Sequence, residues 1–268
     1  MFSFAPSGSS SAPTTLERMV RPSSDAACID LTKASWISPY LLCLIPVLVS
    51  NALPGHLRFL TPSDSAARYA SRMHLGNVLD DFGIDHELPP VRAADQSKRL
   101  VELTPFSAED LEAPERLTRL TQTRCDSNGV PAEVADEIAG HVYELCNNAV
   151  SHARCDQAWL CAQSYQQSRL EFVVADAGRG IRASLEGTAY ECDSHAESIT
   201  TAAQRRTSSI GRPQHFGIGL STVVDYAGNM NGSTHIRSGD AVVRFGSSPF
   251  SAPTMELSGT IVGCSIQF

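Results

Sequence analysis

The pattern of hydrophobic and polar positions predicts a small α/β block in the first third of the chain. Residues 27–31 and 57–60 are short apolar runs typical of β-strands. The apolar segment that begins at Ser38, and residues 63–73, predict two helices. This strand-helix-strand-helix order is typical of an α/β unit. The chain then becomes polar over residues 85–98, and we place a domain boundary in that stretch.

The second block is longer, and its strongest feature is one amphipathic helix. Residues 131–152 repeat apolar side chains every three or four positions, which predicts one buried helix stripe. Residues 107–124 predict another helix, in which Pro114 indicates a kink or a late start. Residues 217–227 predict a short helix entered through glycines. The strands predicted in this block are residues 100–103, 159–163, 170–175, 232–238, 241–246 and 260–268.

Composition and charge exclude several classes of function. The chain has 268 residues, of which 42% are hydrophobic and 19% charged, as in globular proteins that bury a core. A net charge of −8 argues against a general nucleic-acid-binding surface, and no nucleic-acid partner is expected. None of the eight cysteines stands in a C-x-x-C pair, which argues against a zinc site or a disulfide framework. We therefore expect free, mostly buried thiols in a reducing compartment.

Neither the N-terminal residues nor the apolar runs carry a targeting signal. Residues 1 to about 15 are rich in Ser, Pro and Gly, and residues 1–20 are predicted to be a disordered arm without the features of a signal peptide. The longest apolar run, residues 40–49, is well short of the roughly 20 residues that a membrane-spanning helix needs. We expect a cytoplasmic protein without a membrane partner.

The first motif with candidate chemistry lies on the predicted helix 131–152. Glu144, Asn148 and His152 follow one another at intervals of four, so they share one face of the helix beside the apolar stripe. Taken alone, this spacing is also that of an ordinary solvated helix face.

The second motif follows the predicted strand 170–175. Asp176 stands at the strand end, where its carboxylate can accept a hydrogen bond from an exocyclic amine. Gly178 and Gly180 come next, and glycines allow the backbone to approach a flat ring without an intervening Cβ. The alternative reading of this motif is a strand followed by a glycine turn.

The third motif is a glycine pair at the start of the predicted helix 217–227. Gly217 and Gly219 expose backbone N–H groups at a helix entrance, where the helix dipole favours phosphate. This is not a Walker A loop, because no G-K-[ST] sequence follows.

Together the three motifs resemble those of the GHKL ATPase superfamily, which includes gyrase, heat-shock chaperone, sensor histidine kinase and mismatch-repair ATPases. The N-box helix of that superfamily corresponds to residues 144–152, and its two glycine boxes correspond to Asp176-x-Gly178-x-Gly180 and Gly217-x-Gly219. The resemblance covers about residues 100–268. It implies an α/β (α+β) fold in which residues 96–268 form a two-layer sandwich that holds ATP between its helices and a flexible lid.

The resemblance also implies a role for individual residues, with ATP and Mg²⁺ as cofactors. Asn148 would be a ligand of the magnesium ion that bridges the phosphates. Glu144 would orient or activate the attacking group as the catalytic residue. Asp176 would read the adenine with support from Thr260. The other nucleotide-binding positions that it implies are His152, Gly178, Gly180, Ile181, Gly217, Gly219 and Leu220.

Residues 182–216, between the two glycine boxes, are long for a loop without function. They suit a lid that orders over bound nucleotide, with a helix predicted at residues 196–206. Arg205, Arg206 and Arg212 could contact the γ-phosphate or could form a solvated basic run.

The first block resembles the STAS domains of anti-sigma-factor antagonists over about residues 21–95. The similarity rests on residues 28–31, a strand that contains Asp30, and on residues 36–42 after it. Residues 38–41 replace the Asp-Ser-Ser-Gly expected at the phosphoacceptor, which leaves Ser35 and Ser38 as substitutes. Trp36, in this block, is expected to be a core aromatic.

Two functions follow from these resemblances. One is an ATP-dependent serine/threonine kinase or ATPase in a signalling or partner-switching system, similar to the anti-sigma-factor serine kinases. The alternative is an ATP-gated interaction module with little or no turnover. A fold relic without nucleotide binding is disfavoured by the presence of Glu144, Asn148 and Asp176. Either function implies a protein partner, as regulator or phosphorylation substrate, and both are compatible with a homodimer.

Overall fold

The computed structural model describes residues 20–22, 27–52, 57–91, 100–165, 168–204 and 219–268. The predicted arm lies outside these residues except for Val20. The N-terminal part contains a three-stranded sheet. Its first strand pairs antiparallel with the second, and the second pairs parallel with the third, so a crossover connects the second and third strands. The elements are β1 (Val20–Pro22), β2 (Ala27–Asp30), α1 (Pro39–Asn51), β3 (Leu57–Leu60), α2 (Asp64–Arg72) and α3 (Leu75–Asp81).

Helix α1 is the crossover, and its sequence explains both its start and its burial. Ser38 caps it by accepting a 3.2 Å hydrogen bond from the Leu41 N–H, and Pro39 occupies the first turn, where no N–H partner is needed. Residues 41–49 are all buried, as expected of a helix that is apolar on every side. Helix α3 was not predicted. His74 separates it from α2 by taking a left-handed conformation (φ 63°).

A seven-stranded antiparallel sheet forms the centre of the second block. The strand order is β4-β5-β6-β10-β7-β8-β9. Strand β9, at one edge, was not predicted. The strands are β4 (Leu100–Phe106), β5 (Ala158–Tyr165), β6 (Arg169–Asp176), β7 (Ser233–Ser238), β8 (Ala241–Gly246), β9 (Phe250–Pro253) and β10 (Thr260–Gln267).

In the described part of the second block, five helices complete the sandwich. The predicted start of the first of them near Ser107 is wrong, because that hydroxyl accepts from the Glu109 N–H within a turn. The helix begins later, with Pro114 in its first turn. These helices are α4 (Ala113–Ser127), α5 (Ala132–Asn148), α6 (Gly180–Leu185), α7 (His195–Ala202) and α8 (Gly219–Asn229), and a π-helical turn (Ala149–Ala153) continues α5.

The large sheet is buried on both faces. Side chains that alternate along a strand point to opposite faces, and Phe172 and Val174 of β6 pack in the core beneath α5 and α8. Val173 and Ala175 of the same strand pack in a second core, together with α1. Both faces of the central strands are therefore apolar, as in sheets covered on two sides. The predicted α+β class and the sandwich of helices on the sheet are confirmed.

Helix α1 is the part of the N-terminal block that contacts the large sheet most closely. A Cβ on Gly263 of β10 would lie 2.8 Å from the Tyr40 ring, so the missing side chain makes room for the ring. The Cys43 thiol lies 3.8 Å from the Val173 carbonyl oxygen of β6. The N-terminal elements and this face of the sheet thus share one core. The division of the chain near residue 95, and the similarity to STAS domains, stay predictions.

The predictions for Trp36 and for the cysteines have different outcomes. Trp36 is 52% exposed and stacks on Tyr69 with ring centroids 5.1 Å apart, so its prediction as a core residue is wrong. All eight cysteines are free, and five of them are buried. Among the helices of the described residues, none has the length and apolarity needed to cross a membrane.

Candidate functional site

Helix α5 brings the first motif to one end of the large sheet. Glu144 and Asn148 are half-buried and lie one helical turn apart, and Asn148 is the last residue of the helix. His152 follows in the π-helical turn, a rare geometry that is frequent at functional sites. Burial, with the nearby Arg179 charge as a smaller cause, lowers the pKa of His152. Its imidazole is therefore neutral at pH 7.

Asp176 ends strand β6 at the same end of the sheet, and the residue is 8% exposed. It accepts a 2.9 Å hydrogen bond from the Gly178 N–H and further bonds from the N–H and hydroxyl of Thr260. Burial raises the pKa of Asp176 to about 6, because the desolvation exceeds what these hydrogen bonds recover. A carboxylate has about four acceptor positions, so one remains for a donor from a ligand.

Thr260 holds its place through the register of the sheet. The first residue of β10 pairs directly with the last residue of β6, which sets Thr260 opposite Asp176. Gly259 precedes it with φ 118°, and a Cβ there would lie 2.1 Å from the Asp176 carbonyl oxygen. Only a glycine permits this approach, which brings Thr260 within reach of the carboxylate.

Gly178 joins the second motif to the first. A Cβ on Gly178 would lie 2.3 Å from the Ala153 carbonyl oxygen at the end of the π-helical turn. The next residue, Arg179, donates from its N–H to that same oxygen at 2.9 Å, and from its Nε to the His152 carbonyl oxygen at 2.9 Å. The turn after β6 is thereby tied to the end of α5.

Gly180 and Ile181 begin helix α6 against the turn between β7 and β8. Gly180 has φ 77°, and the Ile181 N–H donates to the Ser238 hydroxyl at 2.9 Å. The same hydroxyl donates to the Gly259 carbonyl oxygen at 3.1 Å. Ser238 therefore bridges the first glycine box and the segment before Thr260. Ser238 and Gly259 were not predicted as site residues from the sequence, since a lone Ser-Gly turn has no distinctive spacing.

Gly219 brings the start of helix α8 against α5. A Cβ on Gly219 would lie 2.7 Å from Oε2 of Glu144 and 3.2 Å from its Cβ. The half-buried Leu220 follows in the same first turn. The first turn of a helix presents backbone N–H groups and the positive end of its dipole, which favours the Glu144 carboxylate and also phosphate.

The remaining predicted positions lie outside the described residues. These are Gly217 of the second glycine box and three arginines, Arg205, Arg206 and Arg212. The described part of the predicted lid contains α7, which Ser194 caps by accepting a 3.2 Å hydrogen bond from the Glu197 N–H. The predicted helix at residues 196–206 overlaps α7, which begins one residue earlier and ends at Ala202; residues 205 and 206 lie outside the described residues.

A magnesium ion at this site would take most of its ligands from the nucleotide and from water. Within the described ranges, no group of three or more His, Cys, Asp or Glu side chains could hold a metal alone. Magnesium bound with a nucleotide usually takes one or two protein oxygens, several waters and the phosphates. The amide oxygen of Asn148, one turn from Glu144, fits that limited requirement.

Positions from all three motifs are thus linked through α5 and the π-helical turn that continues it. Asp176, Thr260 and Gly178 are joined by hydrogen bonds, and the π-helical turn links them to α5. Glu144, one turn before Asn148 in α5, lies against Gly219 at the start of α8. This arrangement offers the buried Asp176 carboxylate as a hydrogen-bond acceptor. It also offers the N–H groups at the start of α8, beside the side-chain oxygens of Glu144 and Asn148.

Comparison with known proteins supports a class of domain for the second block. Residues 106–223 match the family model of the histidine kinase-like ATPase domain. The matched segment contains α5, the turn after β6 and the start of α8. It supports a histidine kinase-like ATPase domain of the GHKL type in the second block, and ATP binding as the function of that domain. No curated protein matches the chain.

Proposed function

We propose that the protein binds ATP with Mg²⁺ at this site and uses it as a serine/threonine kinase or ATPase in a signalling or partner-switching system. The observation that carries the proposal is the buried Asp176 carboxylate, held by Gly178 and Thr260 at the end of β6. A buried carboxyl group whose pKa is raised by desolvation is a candidate for a functional site. An adenine amine would donate to its remaining acceptor position.

The phosphate end of the nucleotide is assigned to the start of α8 and the polar face of α5. The N–H groups of the first turn, at Gly219 and Leu220, are suited to phosphate oxygens. Asn148 would supply an oxygen to the magnesium ion, which when bound neutralises phosphate charge. Gly180 and Ile181 would line the base, and His152 would lie beside the nucleotide as a neutral imidazole.

Glu144 is the candidate catalytic residue. Its carboxylate lies against the first turn of α8, next to the place proposed for the terminal phosphates. From there it can accept the proton of an attacking hydroxyl, as a kinase requires, or of water, as an ATPase requires. General base catalysis of this kind contributes roughly 10² to 10⁴ in rate.

A second function, an ATP-gated interaction module, is favoured by the packing of the N-terminal block. Helix α1 covers the face of β6 and β10 opposite the proposed nucleotide site, so these two strands contact both regions. Nucleotide binding could then change the surface offered to a partner without turnover. We keep the STAS-like role of this block as part of that proposal, with a cytoplasmic location and a protein partner.

Incubation with γ-labelled ATP and Mg²⁺ separates these possibilities. Label on a protein side chain supports a kinase, free labelled phosphate supports an ATPase, and bound ATP with neither product supports gating. The assay should be repeated with candidate partner proteins. Absence of ATP binding in the wild-type protein would refute all three.

The variant Glu144→Gln tests the catalytic assignment. It should bind ATP and lose at least about 10²-fold in the rate of transfer or hydrolysis. Glu133→Gln is a matched control, because Glu133 is an exposed carboxylate in the first turn of the same helix. Equal rates for wild type and Glu144→Gln would remove Glu144 from the chemistry.

A further inference from the structure

A side chain outside the second block reaches the segment that supports Asp176. Asn51, the last residue of α1, donates from Nδ2 to the Ser258 carbonyl oxygen at 2.9 Å. Its Oδ1 accepts from the Ser258 N–H at 2.8 Å. The backbone N–H and carbonyl oxygen of Ser258 are thus both hydrogen-bonded to the side-chain amide of Asn51, 207 positions away in the sequence.

The amide of Asn51 is itself fixed in place. Its Nδ2 also donates to the Val47 carbonyl oxygen at 2.8 Å, one turn back in α1. Both Nδ2 hydrogens and Oδ1 are therefore engaged, which limits the side chain to one orientation. Since residues 41–49 of α1 are buried against the sheet, Asn51 extends from a rigid element.

The residue that Asn51 holds stands two positions before Thr260. Ser258 is followed by Gly259, whose carbonyl oxygen accepts from Ser238 and whose Cα lies against the Asp176 backbone. On the other side, the Leu257 N–H donates to the Gly239 carbonyl oxygen at 3.2 Å. Asn51 is the tether of this segment that comes from the N-terminal block.

We propose that Asn51 is a positioning residue for nucleotide binding: by clamping the backbone of Ser258, it orders the segment that presents Thr260 to Asp176. This inference rests on the proposed function, since it assigns Asp176 to the adenine. It extends the binding site to a helix outside the residues that match the ATPase family, and it makes packing of α1 and adenine recognition energetically linked.

The expected effect is moderate. Asn51 is exposed, and Leu257 and Gly259 keep their own hydrogen bonds when the amide is removed. The loss of a hydrogen-bonded tether of this kind corresponds to about a fivefold weakening of ATP binding, the affinity change given by one typical net hydrogen bond. Helix α1 should still fold in Asn51→Ala, because alanine is the best helix former.

The test compares Asn51→Ala with two matched controls by titration calorimetry. Ser50→Ala removes a neighbouring hydroxyl that bonds only within α1, to Pro46. Ser258→Ala removes a side chain but keeps both backbone groups that Asn51 holds. Asn51→Ala should weaken ATP binding about fivefold, whereas both controls should bind as wild type does.

A second nucleotide shows whether the effect passes through Asp176. Purine riboside triphosphate lacks the exocyclic amine, so Asn51→Ala should weaken its binding by less than about twofold. Equal losses for both nucleotides would overturn the positioning role. If the wild type binds ATP and Asn51→Ala binds it equally well, the inference fails while the proposed function stands.

Hydrogen exchange in the nucleotide-free protein tests the same clamp without ATP. The amides of Ser258 and Thr260 should exchange faster in Asn51→Ala than in the wild type or in Ser50→Ala. Unchanged exchange at Thr260 would overturn the inference whatever the protein binds. Faster exchange in a protein that does not bind ATP would support the clamp and refute the proposed function.

Discussion

Replacing Asp176 by Asn tests the electrostatics of the site in the protein without nucleotide. The amide has nearly the shape of the carboxylate, and its oxygen can still accept from the Gly178 N–H. The substitution therefore removes the charge and leaves most of the geometry. What changes is the pH dependence of stability.

The magnitude follows from the raised pKa. Burial moves the pKa of Asp176 from 3.8 to about 6 in the folded protein. Between these values the folded protein keeps a proton that the unfolded chain has released, so stability falls as pH rises from about 4 to about 6. At about 1.4 kcal/mol per pH unit, the full difference is about 3 kcal/mol, of which about 2 kcal/mol lies between about pH 4 and pH 7.

The assay is denaturant unfolding of wild type and Asp176→Asn at several pH values. Other titrating groups affect both proteins alike, so the difference in unfolding free energy isolates Asp176. Asp176→Asn should gain about 2 kcal/mol relative to wild type between about pH 4 and pH 7. The variant should also recognise adenine less well than wild type.

Two results would refute this reasoning. A difference that does not change with pH would mean that burial does not disfavour the ionised carboxylate. A wild type that gains stability over Asp176→Asn as pH rises would place the folded-state pKa below 3.8, so the hydrogen bonds from Gly178 and Thr260 would outweigh desolvation.

Three further substitutions test other parts of the account. Asn148→Ala should weaken ATP binding at least about tenfold with Mg²⁺ but not with a chelator, and Asn147→Ala serves as the control. Equal losses of affinity with Mg²⁺ and with the chelator would refute a metal role for Asn148. Gly178→Ala should lower the unfolding free energy by about 2 kcal/mol, because its Cβ meets the π-helical turn. Gly140→Ala, in open space on α5, should instead raise it by up to about 1 kcal/mol, and an unchanged unfolding free energy for Gly178→Ala would contradict the contact. Gly263→Ala should cost about 1–3 kcal/mol, because its Cβ meets the tyrosine ring of α1, and an unchanged denaturation midpoint would contradict that packing.

Local patterns in the sequence were sufficient to predict much of the second block. The period of residues 131–152 predicted α5, since one apolar stripe on a long helix is a strong signal. The apolar run that ends at Asp176 predicted β6 and its polar end. Glycines at 178 and 180 indicated close backbone approaches, and the structure gives each a partner. These features depend on residues close together in the chain.

The parts that the sequence did not predict depend on contacts between distant segments. Asn51 resembles any polar residue at a helix end, and only the position of Ser258 gives it a role. Gly259 and Ser238 acquire theirs from the pairing of β10 with its two neighbours. Consecutive residues of β6 are apolar and pack on opposite faces of the sheet, and this continuous apolar run was a signal of two-sided burial.

The central claim is that one pocket at the end of the sheet holds both ends of a magnesium nucleotide. A crystal structure of the protein with Mg²⁺ and a non-hydrolysable ATP analogue tests it most directly. We predict the adenine amine within hydrogen-bond distance of the Asp176 carboxylate, the metal on the Asn148 amide oxygen and the phosphates at the start of α8. A nucleotide bound elsewhere, or a base that does not contact Asp176, would contradict the account.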